Sequence, residues 1–256
     1  MLDELYHKKI NHFTYNGQSS LDYGILVENV NGIYGAPVPV LNVVNVPGRG
    51  NIIINSKPDE LDNEQYEDSP RYYVVHTIPD VNSGQNLEVV ARNLHKWLYS
   101  NVDYKVLTDT YEPNFFWKAY VSEQMSIEKI ATGLMGKLTI PFMCKAFKYD
   151  IGGNDRITLT EAGIIYNTSG YTSYPLIRLY GSSEVNLFIN DRIHVITIDD
   201  GYVDIDSERM CTFKGDTLKN HLTVMTHYPK LVSGDNRISW TGNLTKLEII
   251  PRWCTL

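Results

Sequence analysis

His221 and His227 are the first residues in this chain whose type and spacing could support chemistry. Their even separation would put both on one face of a strand, and two imidazoles on one face can hold a metal ion. No third ligand is identifiable beside them, so a structural or exposed role is the simpler reading. Asp199, Asp200, Asp204 and Asp206 form a carboxylate-rich stretch. Their order does not match an EF-hand loop, yet Asp204 and Asp206 share a strand face, which leaves calcium open beside a plain solvated hairpin. Val46-Pro-Gly-Arg-Gly-Asn has the glycines of a phosphate loop. A phosphate cradle needs a helix N-terminus, whereas Ile52-Ile53-Ile54 follows here and favours a strand, so Gly48, Arg49 and Gly50 read as a turn. Tyr166, Tyr171, Tyr174, Tyr180, Tyr202 and Trp240 carry rings that can stack on sugars, although most are expected in core or edge packing. The sequence contains no GxSxG, HExxH or GxxxxGK[ST] pattern, and no two carboxylates stand out as a glycosidase pair. The expectation is a protein with no catalytic residues, no cofactor and no resident metal.

The elements that would position these residues are mostly strands. At 43% hydrophobic and 21% charged residues, the 256-residue chain can build a real core, and its length suits two domains. Phe115, Trp117, Ala119 and Val121 alternate with Phe116, Lys118, Tyr120 and Ser122. Leu138, Ile140, Phe142, Cys144 and Ala146 alternate with polar neighbours such as Lys137, Thr139 and Lys145. The segment Tyr72–Ile78 is apolar on both faces and calls for cover on each side. One helix is expected near Gln85–Tyr99, with Leu87, Val90, Ala91, Leu94 and Leu98 in a stripe that Trp97 widens. Asn82 with Gln85, or Ser83, would cap it, and Ser100-Asn101 would close it. Asp59–Asp68 is acidic, without apolar periodicity, and reads as an exposed loop or arm.

A break at Tyr149–Arg156 divides the chain into residues 1–150 and 151–256. The second half reads as strands only: Ser173–Tyr180, Val185–Ile189, Arg192–Ile198, Tyr202–Asp206, Cys211–Phe213, Leu222–Met225, Asn236–Trp240 and Leu244–Ile250. Asn190-Asp191 and Asp200-Gly201 read as hairpin turns, in which both positions want positive φ. This spacing suggests a sandwich or jelly roll. The three cysteines, Cys144, Cys211 and Cys254, are far apart and are expected to stay reduced. The formal charge of −7 gives no basic stripe for nucleic acid, and no apolar run is long enough to span a bilayer. Nor does the N-terminus carry a signal-peptide core.

The order of features resembles the distal tail proteins of long-tailed phages of Gram-positive bacteria. Phe13-Thr-Tyr-Asn-Gly-Gln-Ser-Ser-Leu-Asp-Tyr-Gly-Ile is similar to that family's opening hairpin, and Val46-Pro-Gly-Arg-Gly-Asn to its glycine turn. The helix ending His95-Lys-Trp-Leu-Tyr follows. Then come Tyr104-Lys-Val-Leu-Thr-Asp-Thr-Tyr-Glu-Pro, which contains Pro113, and the aromatic strand Phe116-Trp-Lys-Ala-Tyr-Val. Tyr228-Pro-Lys-Leu-Val-Ser-Gly-Asp-Asn-Arg-Ile-Ser-Trp-Thr-Gly resembles a stretch of the family's C-terminal domain. It supplies Pro229, Gly234, Asn236, Trp240 and Gly242 as turn or interface candidates, beside Gly48, Arg49, Gly50 and Pro113.

The resemblance implies a mainly β protein. Its N-terminal sandwich-like ring domain would carry the helix, and its C-terminal domain would be a galectin-like sandwich. It further implies a homo-hexamer at the virion tail tip, assembled in the host cytoplasm. The ring would join the tail tube protein to a tail-associated lysin or fibre protein, with receptor-binding proteins as further partners. DNA would pass through its lumen without stable binding, and no membrane is involved. The alternative is a carbohydrate-binding adhesion module acting through the C-terminal sandwich.

Overall fold

The computed structural model describes residues 10–31, 37–40, 42–48, 50–54, 66–77, 87–100, 103–125, 127–130 and 135–256. Arg49, residues 59–65 of the acidic stretch, the expected cap at 82–85 and Asn101 lie outside the described residues. The chain forms two compact units, which meet in sequence at Lys148 and Tyr149.

In the first unit, β1 (Phe13–Tyr15), β2 (Gln18–Ser19), β3 (Ile25–Asn31), β4 (Asn42–Val46), β5 (Gly50–Ile54) and β6 (Ser69–Thr77) precede helix α1 (Leu87–Leu98). After it come β7 (Lys105–Asp109), β8 (Phe115–Val121), β9 (Ile127–Ile130) and β10 (Met135–Cys144). The main sheet is antiparallel, in the order β2-β1-β7-β8-β10-β6-β3, and β9 also pairs with β10. Period-two patterning sets its buried face: Leu138, Ile140, Phe142 and Cys144 are buried while Thr139 is exposed. Phe116 is buried as well as Trp117, so β8 buries part of both faces. In β6 the alternation is stronger than the sequence suggests. Arg71, Tyr73, Val75 and Thr77 are buried, but Tyr72, Val74 and His76 are only half-buried. One reason the second face stays open is polar: His76 Nε2 lies 2.8 Å from Glu28 Oε2.

Helix α1 buries Leu87, Val90, Leu94, Trp97 and Leu98, with Ala91 half-buried at the stripe's margin. Trp97 fastens it. Its ring stacks on Tyr23 at 4.4 Å and Phe13 at 5.6 Å, and its Nε1 donates to the Tyr15 carbonyl at 3.1 Å. The helix is thereby held by its apolar stripe and by one satisfied indole N–H, which is how a short helix becomes stable in a β protein.

The second unit contains β11 (Lys148–Asp150), β12 (Ile157–Leu159), β13 (Gly163–Asn167), β14 (Leu176–Ile189), β15 (Arg192–Ile198), β16 (Tyr202–Asp206) and β17 (Cys211–Lys214). β18 (Thr217–Leu218), β19 (Thr223–Val224), β20 (Gly234–Ile250) and β21 (Cys254–Thr255) follow. Where the sequence suggests separate strands at Ser173–Tyr180 and Val185–Ile189, there is one long β14. Asn236–Trp240 and Leu244–Ile250 are likewise halves of β20. Their pairing is continuous except for register shifts at Tyr180/Gly181 and Ser182/Val185. Nor does Asp200-Gly201 close a hairpin. β15 and β16 do not pair with each other; they lie in succession along one edge of β14, opposite its second and first halves. Asp200-Gly201 bridges the gap, with the Gly181 N–H donating to the Gly201 carbonyl at 3.0 Å. Only Asn190 and Gly201, not both members of either turn pair, have positive φ.

These interruptions line up across three neighbouring strand tracks and fold the sheet along one line. Bulged corners of this kind let a strand pass from one layer of a sandwich to the other. β12, β16, β17 and β18 flank the first half of β14, and β13, β15 and β19 flank the second. Ile177, Leu179, Val203, Ile205, Leu247 and Ile249 on one side share a single core with Val185, Leu187, Ile196, Ile198 and Ile238 on the other. The corner has no room for side chains. A Cβ at Gly181 would fall 2.1 Å from the Asn243 carbonyl oxygen, and one at Gly242 would fall 2.5 Å from that of Glu184. Gly242→Ala is therefore expected to lower stability in urea unfolding by at least about 2 kcal/mol. The comparison is Gly170→Ala, where φ is also positive but the space is open; it is expected to cost about 1 kcal/mol.

Candidate functional site

The sequence-picked residues fall into separate places rather than one cleft. Gly48 (φ 82°) and Gly50 (φ 76°) turn the β4–β5 hairpin, whose strands pair from Asn42↔Ile54 to Val46↔Gly50. These two strands form a sheet of their own. Val43 is 53% exposed on it.

Pro113 stands in the turn Glu112–Phe115, closed by the Phe115 N–H donating to the Glu112 carbonyl at 3.0 Å. That turn is held from below by residues the sequence reading did not pick out. Asp109 Oδ1 accepts from the backbone N–H groups of Tyr111 and Glu112 at 2.9 and 3.0 Å. Its Oδ2 accepts from Arg71 at 2.6 Å and from the Tyr73 hydroxyl at 2.5 Å. The Arg71 guanidinium lies 4.0 Å from the Trp117 ring centroid, and Lys148 Nζ donates to Glu112 at 2.5 Å. Burial, reinforced by the Asp109 carboxylate, pushes the Tyr73 hydroxyl well above its ordinary pKa, so it remains a donor. The arrangement does no bond chemistry; it freezes a loop.

In the second unit Asn236 has the corresponding role. It is fully buried, and its Oδ1 accepts from the Val232 N–H at 2.8 Å and from Asn190 Nδ2 at 3.1 Å. Its Nδ2 donates to the carbonyls of Val232 and Gly234 at 2.8 and 3.1 Å. Gly234, Asn236, Trp240 and Gly242 thus lie along β20. Gly234 (φ 87°) turns into it, and Trp240 packs half-buried on the core. Pro229 is buried just before the loop that Asn236 gathers.

The carboxylates of the stretch are each paired with a cationic side chain. Asp204 takes both ends of Arg178, at 2.6 and 2.9 Å, and Asp206 those of Arg252, at 2.7 and 3.0 Å. Asp199 pairs with Lys219 at 2.9 Å and Asp200 with Lys214 at 2.5 Å. Burial would raise the Asp206 pKa, but the bonds from Arg252 outweigh it and the net shift is downward. Among the described residues, no group of three or more His, Cys, Asp or Glu side chains is placed to hold a metal ion. His221 and His227 do not share a strand: His221 is in a short 3-10 turn, and β19 ends at Val224. Of the aromatic set, Tyr174 is buried. Tyr202 faces Arg178 and Lys214, and Tyr180 faces Lys246 at 4.1 Å, while Tyr166 is 63% exposed.

His194, also not singled out by sequence, is 2% exposed, and neither ring nitrogen has a hydrogen-bond partner. The backbone of His227 approaches it without reaching bonding geometry. Burial, then the charge of Arg192, pushes its pKa down to about 4.

These features define a two-unit β protein whose distinctive parts are braced turns and a hairpin that forms a two-stranded sheet of its own. Residues 65–144 match the family model described as the phage tail protein RIFT-related domain. Among solved structures, the chain is similar to the Dit protein of phage SPP1, with 16% identity over 94% of this chain and 98% of that one, and a TM-score of 0.66. It is also similar to a chain of the phage P2 baseplate in its activated conformation with Ca, with 7% identity over 94% of this chain and 97% of that one, and a TM-score of 0.53. No curated protein sequence matches the chain. The Dit-like, mainly β fold with one helix expected from the resemblance is borne out.

Two measurements check the braces. Asp109→Ala removes the Arg71 cation's nearest carboxylate, leaving only Glu112 at 3.7 Å, and is expected to cost about 3–5 kcal/mol, read as a fall in the urea midpoint. Arg71→Met combined with Asp109→Leu should recover only part of it, because the Tyr111 and Glu112 N–H groups and the Tyr73 hydroxyl still lose their acceptor. Because the folded His194 pKa lies below its unfolded value, its stabilising contribution is full above about pH 6.5 and is lost as pH falls towards 4. His194→Phe is expected to flatten that part of the stability–pH curve.

Proposed function

We propose that this chain is a structural hub of a phage tail tip, a ring that joins the tail tube to a tail-associated lysin or fibre. The observation that carries this reading is the fold likeness along almost the full length of the SPP1 Dit protein, which is described as a paradigm of the hub adsorption apparatus in phages infecting Gram-positive bacteria. The baseplate likeness is in keeping with it. In this reading the protein is not an enzyme, acts at the virion tail tip after assembly in the host cytoplasm, and forms a hexamer with a lumen for DNA. Receptor-binding proteins are further partners.

Residues 1–150 are assigned to the ring and residues 151–256 to a domain that closes its own core. The β4–β5 hairpin supports this division. An isolated two-stranded hairpin is marginal in water, and Val43 leaves an apolar side chain exposed on it, so a neighbouring subunit is a natural cover. Gly48, Arg49 and Gly50 turn this arm. The turn at Pro113 and the loop gathered by Pro229, Gly234 and Asn236 are the rigid surfaces offered to other tail proteins. A net charge of −7 suits a conduit to which DNA must not adhere.

Native mass spectrometry of the purified chain is expected to give six copies of the 29.3 kDa subunit. Val43→Asp is expected to shift the population towards monomer while leaving the circular-dichroism spectrum unchanged. A wild-type chain that stays monomeric at all concentrations would remove the ring.

A further inference from the structure

A cavity of about 710 Å³ opens at one end of the second unit, where the β14–β15 turn meets the start of β20. Its rim is built rather than loose. The Asn190 N–H donates to the Arg237 carbonyl at 2.8 Å, and the Arg237 N–H donates to Asn190 Oδ1 at 2.9 Å. Asn190 Nδ2 reaches the buried Asn236. Arg192 and Arg237 line the cavity with Lys230, and Asp191 and Asp235 line it too.

The charge pairing here is unlike that of the rest of the unit. Arg156, Arg178, Arg209 and Arg252 each face a carboxylate. Among the described residues, the guanidinium groups of Arg192 and Arg237 have neither an ion pair nor a hydrogen bond. Among the described residues, the carboxylates of Asp191 and Asp235, on the same walls, have none either. Among the described residues, Lys230 rests against the Tyr174 ring at 5.3 Å. His194 lies in the wall, and its ring nitrogens have no hydrogen bond of good geometry, the His227 backbone being the group that approaches them.

We propose that this cavity binds a small phosphorylated polyol or sugar. The phosphoryl group sits among Arg192, Arg237 and Lys230, and the hydroxyls face Asp191, Asp235 and Ser239. Guanidinium forks and an ammonium match the several oxygens of a phosphoryl group. Carboxylates repel that group but accept hydroxyl protons, so a wall bearing both signs selects a ligand bearing both functions. The volume lies within the usual range for a small-molecule site, roughly 300–1,000 Å³. The lining residues all belong to residues 151–256, whereas the ring is assigned to residues 1–150, so failure of the site would leave the ring reading untouched.

Isothermal titration calorimetry on the intact assembly tests it, with sn-glycerol 3-phosphate, inorganic phosphate, glycerol and glucuronate as probes. Glycerol 3-phosphate is expected to saturate one site per chain, and glycerol to give no heat at the same concentration. Arg192→Ala and Arg237→Ala are each expected to weaken binding at least about tenfold, the loss of a charge-assisted contact. Arg209→Ala, at a paired arginine outside the cavity lining, is expected to leave it unchanged. Absence of saturable binding, or binding indifferent to Arg192 and Arg237, would overturn the site. Inorganic phosphate or glucuronate binding as tightly as glycerol 3-phosphate would overturn the ligand class.

Discussion

Backbone contact at one line of the second unit decides most of what that unit is. Gly181 and Gly242 bring strand backbones closer than any side chain permits, and Gly201 completes the same line on the neighbouring track. Because β14 and β20 bend there together, their two halves belong to two layers while remaining covalently continuous. The core between the layers, the loop gathered by Asn236 and the tip at Asn190 all inherit their positions from that corner. A bulge is often treated as a local flaw in pairing. Here it converts a flat antiparallel ribbon into a closed sandwich.

The first unit answers a different problem with a different device. Its sheet carries one helix and a long aromatic core, which bury area effectively but leave turns to find their own shape. The Arg71–Asp109 pair supplies that shape. One carboxylate satisfies two backbone N–H groups, a guanidinium and a phenol, so the turn at Pro113 is fixed by side chains from β6 and β7. A buried ion pair of this kind adds little net stability. Its yield is a single conformation of an otherwise exposed loop, which is what a scaffold protein needs at a contact surface.

Patterning that repeats along the chain was readable from sequence, and pairing across the chain was not. The alternation Leu138–Cys144 and the stripe Leu87–Leu98 each report burial directly, because period and face are local properties. The composite order of turns pointed to the right fold. The merging of strands into β14 and β20 was hidden because alternation resets at Gly181 and Gly242 and looks like an ending. The same blindness made Asp200-Gly201 resemble a hairpin, when it bridges two strands on one track. Asp204 and Asp206 looked free for a cation, since nothing local announces that Arg178 and Arg252 would reach them. Arg71, Asp109 and His194 escaped notice for the same reason. His194 sits at an inward position of β15 that could equally have held an aliphatic residue, and only its unsatisfied nitrogens set it apart.

The corner also bears on the order of events when the chain first folds. β14 pairs with β20 across most of the second unit's length in sequence, from Leu176↔Ile250 to Ile189↔Ile238. A large loop must close before either layer has its central pair, and such non-local topologies are slow to form. The first unit closes loops as long, since β1 pairs with β7 (Phe13↔Asp109) and β6 with β10 (Ser69↔Cys144), but it leaves the ribosome earlier. Biogenesis is thus staggered by emergence alone: the first unit can begin pairing before β20 is synthesised, and the nascent chain is most vulnerable to misassociation until β14 finds β20.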